Sequence, residues 1–267
     1  MIKAGFFQFN PFFGEVQKNL DRVIKTISNA SADLIVLPEL PFSGYYFKDR
    51  EELSTFAEDP KDSNIVSTLV ELCRDKDLFI VTGFVEKDKD KIFNSALLLG
   101  ADGVIQTYRK LHLFNTEKLY FDPGNLQLEV SEIRGIKVGL MICFDYAIPE
   151  VARTLALKKA DLLCNPSNLV LYYSQKVMPA RCFENSVFAI TSNRFGTDER
   201  SHGNISFSGQ SQITGPRGEV IYQALGAKEE LYIAEIDPSI ARDKKVTVRN
   251  DLLADRRTEF YQELFKK

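Results

Sequence analysis

The chain has 267 residues, of which 44% are hydrophobic and 27% are charged, and its formal net charge is −3. This composition supplies a large core and lacks the basic excess typical of nucleic-acid-binding proteins. No apolar run approaches the ~18 residues of a membrane-spanning helix, and the first residues lack the basic start of a secretory signal. We therefore expect a cytoplasmic protein with no nucleic-acid or membrane partner and with reduced cysteines.

The first third of the chain alternates strands with helices. Alternating and continuously apolar runs predict strands over residues 2–9, 33–37 and 78–84, and a hairpin of 93–99 with 104–108. Apolar residues at helical spacing predict helices over residues 15–29, 49–56 and 64–76. The strand at 33–37 is apolar enough to be buried on both faces, and Glu39 follows it. Because α/β folds bind ligands at such strand ends, Glu39 is a candidate functional carboxylate, with an ordinary loop glutamate as the alternative.

Lys110 is the next polar residue with an unusual setting. Its neighbours Leu111, Leu113 and Phe114 are apolar, which favours a position near the core. The alternative is a solvated surface lysine, and for Arg109 we expect a solvated surface charge. A Pro-Gly turn at 123–124 then leads into a strand predicted over residues 126–130.

Cys143 stands where an apolar strand beginning at residue 136 approaches a helix predicted over 149–158. A thiol at that junction is fixed by the sheet and lies beside the backbone donors of the next turn, which suits a nucleophile. The alternative is a small hydrophobic residue of the core, as most free cysteines are. Packing is the role expected for the other three cysteines: Cys73, Cys164 and Cys182.

The last third continues with a helix predicted over residues 175–183 and strands over 187–192, 203–214, 219–222 and 231–236. The sequence Ala-Asp-Leu occurs at 32–34 and again at 160–162, each time after a predicted helix. This repeat indicates two similar halves whose strand ends meet at a common cleft. The charged tail from Arg242 is expected to be either frayed or docked on a partner subunit.

Three stretches carry a resemblance to a known family: Leu-Pro-Glu-Leu at 37–40, Tyr-Arg-Lys-Leu-His-Leu at 108–113 and Met-Ile-Cys-Phe-Asp at 141–145. In this order they resemble the nitrilase superfamily, also called the carbon–nitrogen hydrolases, and the resemblance covers nearly the whole chain. It implies an α/β fold, a four-layer α-β-β-α sandwich, with one domain over residues 1–267. It also implies a homodimer or larger homo-oligomer, to which the tail 238–267 would contribute, and no metal or organic cofactor.

The resemblance also implies the catalytic roles. Cys143 would attack a carbonyl carbon and form a thioester, with Glu39 as the proton acceptor. Lys110 would stabilise the oxyanion together with the backbone N–H of Phe144, and Glu117 would position Lys110 or the substrate. A free thiol has a pKa of ~8.5, so it needs such a base or cation to react. Loops beside these segments supply the expected substrate-binding residues: Phe144, Tyr45, Tyr120 and Asn168.

The expected substrate is a small linear amide or an N-carbamoyl compound, and the product is ammonia or an amine. True nitrilases often carry a Glu-His pair after the cysteine, whereas this chain has Phe144 and Asp145. Nitrile hydrolysis by the same residues remains an alternative. Two other hypotheses are a Cys-His hydrolase using His112 or His202, and a non-catalytic binding protein on this fold.

Overall fold

The structure, a computed structural model, describes residues 1–266. Up to residue 140 it contains β1 (Ile2–Gln8), α1 (Val16–Ile27), β2 (Leu34–Val36), α2 (Arg50–Ser54), α3 (Asn64–Lys76), β3 (Phe79–Asp88), β4 (Lys91–Gly100), β5 (Gly103–Arg109), β6 (Val130–Ile133) and β7 (Ile136–Leu140). After it come α4 (Pro149–Leu157), β8 (Leu162–Ser167), α5 (Ser174–Asn185), β9 (Phe188–Asn193), β10 (Phe195–Arg200), β11 (Gly203–Ser208), β12 (Gln212–Thr214), β13 (Val220–Gln223), β14 (Glu230–Ile236) and α6 (Pro238–Arg242).

Two six-stranded sheets have the same arrangement of strand directions. The first has the order β14-β1-β2-β3-β4-β5 and the second, read from its other edge, has the order β6-β7-β8-β9-β12-β13. In each, an antiparallel edge strand is followed by three parallel strands and then by two antiparallel strands. The antiparallel pair β10-β11 lies in the connection between β9 and β12. Each half of the chain therefore builds most of one sheet.

Matching hydrogen bonds confirm that the Ala-Asp-Leu repeat marks two similar halves. The backbone N–H of Lys3 donates to Asp33 Oδ2 over 2.8 Å, and that of Lys137 donates to Asp161 Oδ2 over 2.9 Å. In return, the backbone N–H of each aspartate donates to the carbonyl of the same lysine, over 2.7 and 2.8 Å. In each sheet, the aspartate just before one parallel strand therefore binds the neighbouring parallel strand through the same pair of hydrogen bonds.

Successive side chains of a strand point to opposite faces of its sheet, so apolar side chains of one strand reach two different layers. Phe6 of β1 lies in the core between the sheets, whereas Phe7 packs on the outer side with Leu20 of α1. On the far side of the second sheet, Leu155 of α4 lies against Gly139 of β7. The layers are therefore helix, sheet, sheet and helix, which confirms the expected four-layer α-β-β-α sandwich.

The predicted strands differ from the observed ones in two regions. The strand expected over residues 126–130 lies later in the chain: it is β6 (Val130–Ile133), which pairs with β7. The strand expected over residues 203–214 is two strands, because Gly209 and Gln210 between them have positive φ angles of 59° and 57°. The prediction also missed β10, whose residues 196–200 are mostly polar and which pairs with β11.

The tail after α6 exposes apolar side chains, including Val248 at 93% and Phe260 at 67%. Its expected docking on a partner subunit, and the homodimer itself, stay predictions. Lys267, the last residue of that tail, lies outside the described residues.

None of the helices within residues 1–266 combines the length and the apolar character needed to cross a bilayer.

Candidate active site

Three loops that follow strands converge at one end of the sandwich. Glu39 lies three residues after β2, Lys110 directly follows β5, and Cys143 lies three residues after β7. The three residues are 0%, 1% and 5% exposed. Sequence alone left open whether Glu39 and Lys110 are surface residues, and the structure buries both together with Cys143.

Lys110 is held between two buried carboxylates. Its Nζ atom lies 2.7 Å from Glu39 Oε1 and 2.8 Å from Glu117 Oε1. Burial lowers the pKa of Lys110, but the charges of Glu117 and Glu39 outweigh it and raise that pKa well above its usual range. The ammonium group therefore stays charged although water has no access to it.

The two carboxylate oxygens of Glu39 have different surroundings. Oε1 accepts hydrogen bonds from Lys110 Nζ and from Asn94 Nδ2, both over 2.7 Å. Oε2 is buried and has no hydrogen-bond partner within residues 1–266. Burial raises the pKa of Glu39, although Lys110 opposes the rise. Oε2 is therefore the oxygen that has a free lone pair for a proton.

Both oxygens of Glu117 are engaged. Oε1 accepts from Lys110 and from the hydroxyl of Tyr45, which is 2.6 Å away, and Oε2 accepts from the backbone N–H of Phe114 over 2.9 Å. This arrangement suits a counter-ion that fixes Lys110 better than it suits a second base. Tyr45 was expected to offer its hydroxyl to a substrate, but the structure places that hydroxyl on Glu117.

Cys143 opens a 3₁₀ turn that runs to Ala147. Its φ angle is 45°, in the left-handed region that side chains rarely adopt. Burial raises the pKa of the Cys143 thiol well above its usual range, Glu39 raises it further, and Lys110 and a backbone hydrogen bond from Asn168 oppose the rise. The resting thiol is therefore protonated and needs a proton acceptor before it can react.

Asp145 braces the turn that carries Cys143. Its Oδ2 atom accepts from the backbone N–H of Ile142 over 2.9 Å and from the hydroxyl of Tyr108 over 2.7 Å. Its Oδ1 atom lies 2.8 Å from Nδ1 of His112. Because Tyr108 and His112 flank Lys110 in sequence, Asp145 ties the lysine loop to the cysteine turn.

The histidines required by a Cys-His hydrolase have other contacts. The ring of His112 is bound to Asp145, and His202 is packed on the ring of Tyr46 with centroids 4.5 Å apart. These contacts favour structural roles for both histidines.

A narrow pocket with about 10 Å³ of free space opens on Cys143. Of the expected substrate-binding residues, Phe144 and Asn168 line it. Asn168 also donates from Nδ2 to the carbonyl of Glu39 over 2.9 Å, so it fixes the glutamate turn. Tyr120 is 3% exposed and packs on Phe47 instead of lining this pocket.

A larger cleft of about 690 Å³ lies around Lys137, Asp161 and Arg242 and includes none of the candidate catalytic residues. We assign the chemistry to the smaller pocket, because Cys143 lines it and the charges of Glu39, Lys110 and Glu117 act on the Cys143 thiol. Over the described residues 1–266, no group of three or more His, Cys, Asp or Glu side chains is arranged to hold a metal ion.

Two glycines allow strands and turns to approach the site closely. A Cβ atom on Gly83 would lie 2.3 Å from the backbone nitrogen of Leu40, in the glutamate turn. A Cβ atom on Gly124 would lie 2.1 Å from the carbonyl oxygen of Arg109, beside Lys110. A side chain at either position would displace a catalytic loop.

Sequence reasoning missed Asn94 and misjudged Arg109. The available signal for Asn94 was a polar residue within the apolar run of β4, where a buried amide needs a partner. Arg109 is 7% exposed and not solvated, since it forms ion pairs with Glu86 over 2.5 Å and with Asp88 over 2.9 Å. Glu184 pairs with Arg181 over 3.1 Å.

The fold and the site together define a nitrilase-type hydrolase, and comparison with known proteins agrees. The profile of the carbon-nitrogen hydrolase family matches residues 3–245. The chain is 43% identical to a protein named nitrilase from Pyrococcus abyssi, over 98% of this chain and 99% of that protein. It is 32% identical to an (R)-stereoselective amidase from Pseudomonas sp, over 91% and 87% of the two chains.

A solved structure gives the same result. The crystal structure of a carbon-nitrogen hydrolase from Helicobacter pylori G27 matches with a TM-score of 0.90 at 26% identity, covering 100% of this chain and 99% of that one. This chain belongs to the carbon–nitrogen hydrolase family of the nitrilase superfamily. It is an amidase-type enzyme that acts on C–N bonds other than peptide bonds.

Proposed function

We propose that this enzyme hydrolyses a small linear amide or N-carbamoyl compound through a thioester on Cys143, releasing ammonia or an amine. The observation that carries the proposal is the asymmetry of Glu39. Oε1 is saturated by Lys110 and Asn94, whereas Oε2 is buried without a partner in residues 1–266. A buried carboxylate with one free oxygen can take the proton of a thiol that its surroundings keep protonated.

In the first step, Cys143 Sγ attacks the carbonyl carbon while its proton passes to Glu39 Oε2. The carbonyl oxygen becomes an oxyanion, which the Lys110 ammonium and the backbone N–H of Phe144 stabilise. Loss of one such donor typically lowers the rate by ~10²–10³. The role of Glu117 in this step is to hold Lys110 in place.

In the second step, the C–N bond breaks and Glu39 returns its proton to the leaving nitrogen, which departs as ammonia or an amine. Glu39 then takes a proton from water, the resulting hydroxide attacks the thioester carbon, and the C–S bond breaks. The acid product leaves, and the proton on Glu39 restores the Cys143 thiol. These steps use only side chains and water, so the proposal requires no metal or organic cofactor.

Nitrile hydrolysis is the second candidate, and the relative that favours it is the Pyrococcus abyssi protein named nitrilase, at 43% identity. The same thiol would add to the nitrile carbon, and Glu39 would supply the proton that the nitrogen takes. The short segment after Cys143 favours amides, because Phe144 and Asp145 stand where true nitrilases often carry Glu-His.

Ammonia release from a panel of small amides, N-carbamoyl compounds and nitriles would test the proposal. Cys143→Ala should abolish turnover of every substrate. Cys164→Ala is the matched control, since Cys164 is also buried, lies within β8 and plays no part in the proposed steps. Loss of activity in both variants, or in neither, would contradict the assignment of Cys143. Turnover of nitriles alone would favour the second candidate.

A further inference from the structure

The wall of the pocket that opens on Cys143 is apolar. The pocket leaves about 10 Å³ of free space, far below the ~300 Å³ at which pockets for drug-sized ligands begin. Its apolar wall is formed by Phe114, Phe144, Tyr146, Leu169, Val170 and Leu171. An acyl group bound to Cys143 would therefore meet hydrocarbon on most sides and would have little room.

Most polar side-chain groups of this pocket are already in use, although Oδ1 of Asn168 has no hydrogen-bond partner within residues 1–266. No acidic or basic side chain is among its lining residues in the described part of the chain. Asn168 donates to the carbonyl of Glu39, and Ser174 donates to the hydroxyl of Tyr146 over 2.8 Å. The ammonium of Lys110 is held by two carboxylates. A charged group at the far end of the acyl chain would thus be buried without a counter-ion, which is unfavourable.

A lysine, Lys118, lies on the other side of Phe144. A second cleft of about 430 Å³ shares Phe144 with the first pocket and includes His112 and Lys118. The rings of Phe114 and Phe144, with centroids 5.2 Å apart, stand together in the wall of the first pocket. A short acyl group bound in the first pocket would meet this wall before it could reach Lys118 in the second.

We infer that the acyl group of the substrate is short and uncharged at its far end. This inference rests on the proposed function, because it takes Cys143 as the atom that holds the acyl group. It selects uncharged aliphatic amides over amides that end in a carboxylate or an ammonium group.

The test compares three amides with four-carbon acyl groups: butanamide, succinamic acid and 4-aminobutanamide. They differ at the far end, which is a methyl group, a carboxylate or an ammonium group. The inference predicts a kcat/KM for butanamide more than about 30-fold above that of either charged amide, because the pocket offers a charge no partner. A smaller preference, or a preference for a charged amide, would overturn the inference.

A variant pair tests the role of the wall directly. Leu171→Arg should increase turnover of succinamic acid relative to butanamide by at least about tenfold, whereas Leu171→Met should keep the preference for butanamide. If Leu171→Arg does not fold by circular dichroism, Val170→Lys takes its place. An unchanged preference in a folded charged variant would overturn the inference.

The experiments distinguish failure of the proposed function from failure of this inference alone. If the native enzyme releases no ammonia from any amide and Cys143 carries no adduct, both the proposed function and this inference are wrong. If Cys143 does carry an adduct and the charged amides react as fast as butanamide, the inference alone is wrong.

Discussion

The side-chain amide of Asn94, on β4, donates from Nδ2 to Glu39 Oε1 over 2.7 Å. The backbone carbonyl of Asn94 also accepts from the backbone N–H of Lys110 over 2.8 Å. A single buried residue therefore contacts both the proposed base and the proposed oxyanion donor. Because Asn94 and Lys110 both donate to Oε1, Oε2 is the oxygen left for the proposed proton transfer from Cys143.

Replacing Asn94 should therefore alter the pH profile as well as the rate. Asn94→Leu removes a hydrogen bond to a charged group, worth ~1.5–3 kcal/mol, so kcat/KM should fall by about 10- to 100-fold. The Asn94 hydrogen bond lowers the pKa of Glu39, so its loss should move the acid limb of kcat/KM to higher pH. Asn185→Leu on α5 is the control, since Asn185 is equally buried. An acid limb that does not move would show that Asn94 is only structural.

The pH dependence of the native enzyme follows from three shifted groups. Burial raises the pKa of Glu39 above the usual 4.5 of a glutamate, and the carboxylate form is the one that accepts a proton. Activity should therefore fall as pH drops through that raised pKa, earlier than for an ordinary glutamate. Burial also raises the pKa of Cys143, and the carboxylates raise that of Lys110, so neither group should titrate near neutrality.

A kcat/KM profile measured across the acid and neutral range checks this expectation. The apparent pKa of its acid limb belongs to Glu39 together with Lys110, because the two groups interact strongly. A rate that keeps rising up to the ~8.5 of an ordinary thiol pKa, as for a reacting thiolate formed by simple deprotonation, would contradict it.

Tyr45→Phe separates a positioning role from substrate binding. Its hydroxyl is 2.6 Å from Glu117 Oε1, so its loss should loosen the counter-ion of Lys110. We expect kcat to fall by about tenfold with little change in KM. Tyr46→Phe is the matched control at the neighbouring position. A large rise in KM with kcat unchanged would instead support the original expectation that Tyr45 binds the substrate.

His112→Ala tests the Cys-His hypothesis. Because His112 is bound to Asp145 and Asp145 braces the cysteine turn, the variant should lose less than about tenfold in kcat/KM. His202→Ala serves as the control. Complete loss of activity in a His112 variant with an unchanged circular dichroism spectrum would restore the Cys-His mechanism and remove Glu39 from the role of base.

The sequence predicted the elements that hold the site because their signals are local. The apolar runs before Glu39 and Cys143 read as strands, and the structure has β2 and β7 there. The Ala-Asp-Leu repeat was visible for the same reason. In contrast, β10 is mostly polar, and its strand conformation depends on pairing with β11, which no local pattern reveals.

The contacts that organise the site are distant in sequence. Asn94 reaches Glu39 across 55 positions, and Tyr45 reaches Glu117 across 72. Arg109 is buried because Glu86 and Asp88 lie on the sheet beside it, 23 and 21 positions earlier. Such pairings depend on the register of strands and loops, so residue identity and spacing alone could not predict them.

The most direct test of the proposed function is intact-protein mass spectrometry of the enzyme quenched during turnover of a small amide. We predict a mass increase equal to the acyl group minus the displaced thiol hydrogen, located on Cys143 and absent from Cys143→Ala. Glu39→Gln should reduce the rate at which this adduct forms. Rapid amide turnover by Cys143→Ala, or an adduct that forms on another cysteine with Cys143 unmodified, would contradict the thioester mechanism.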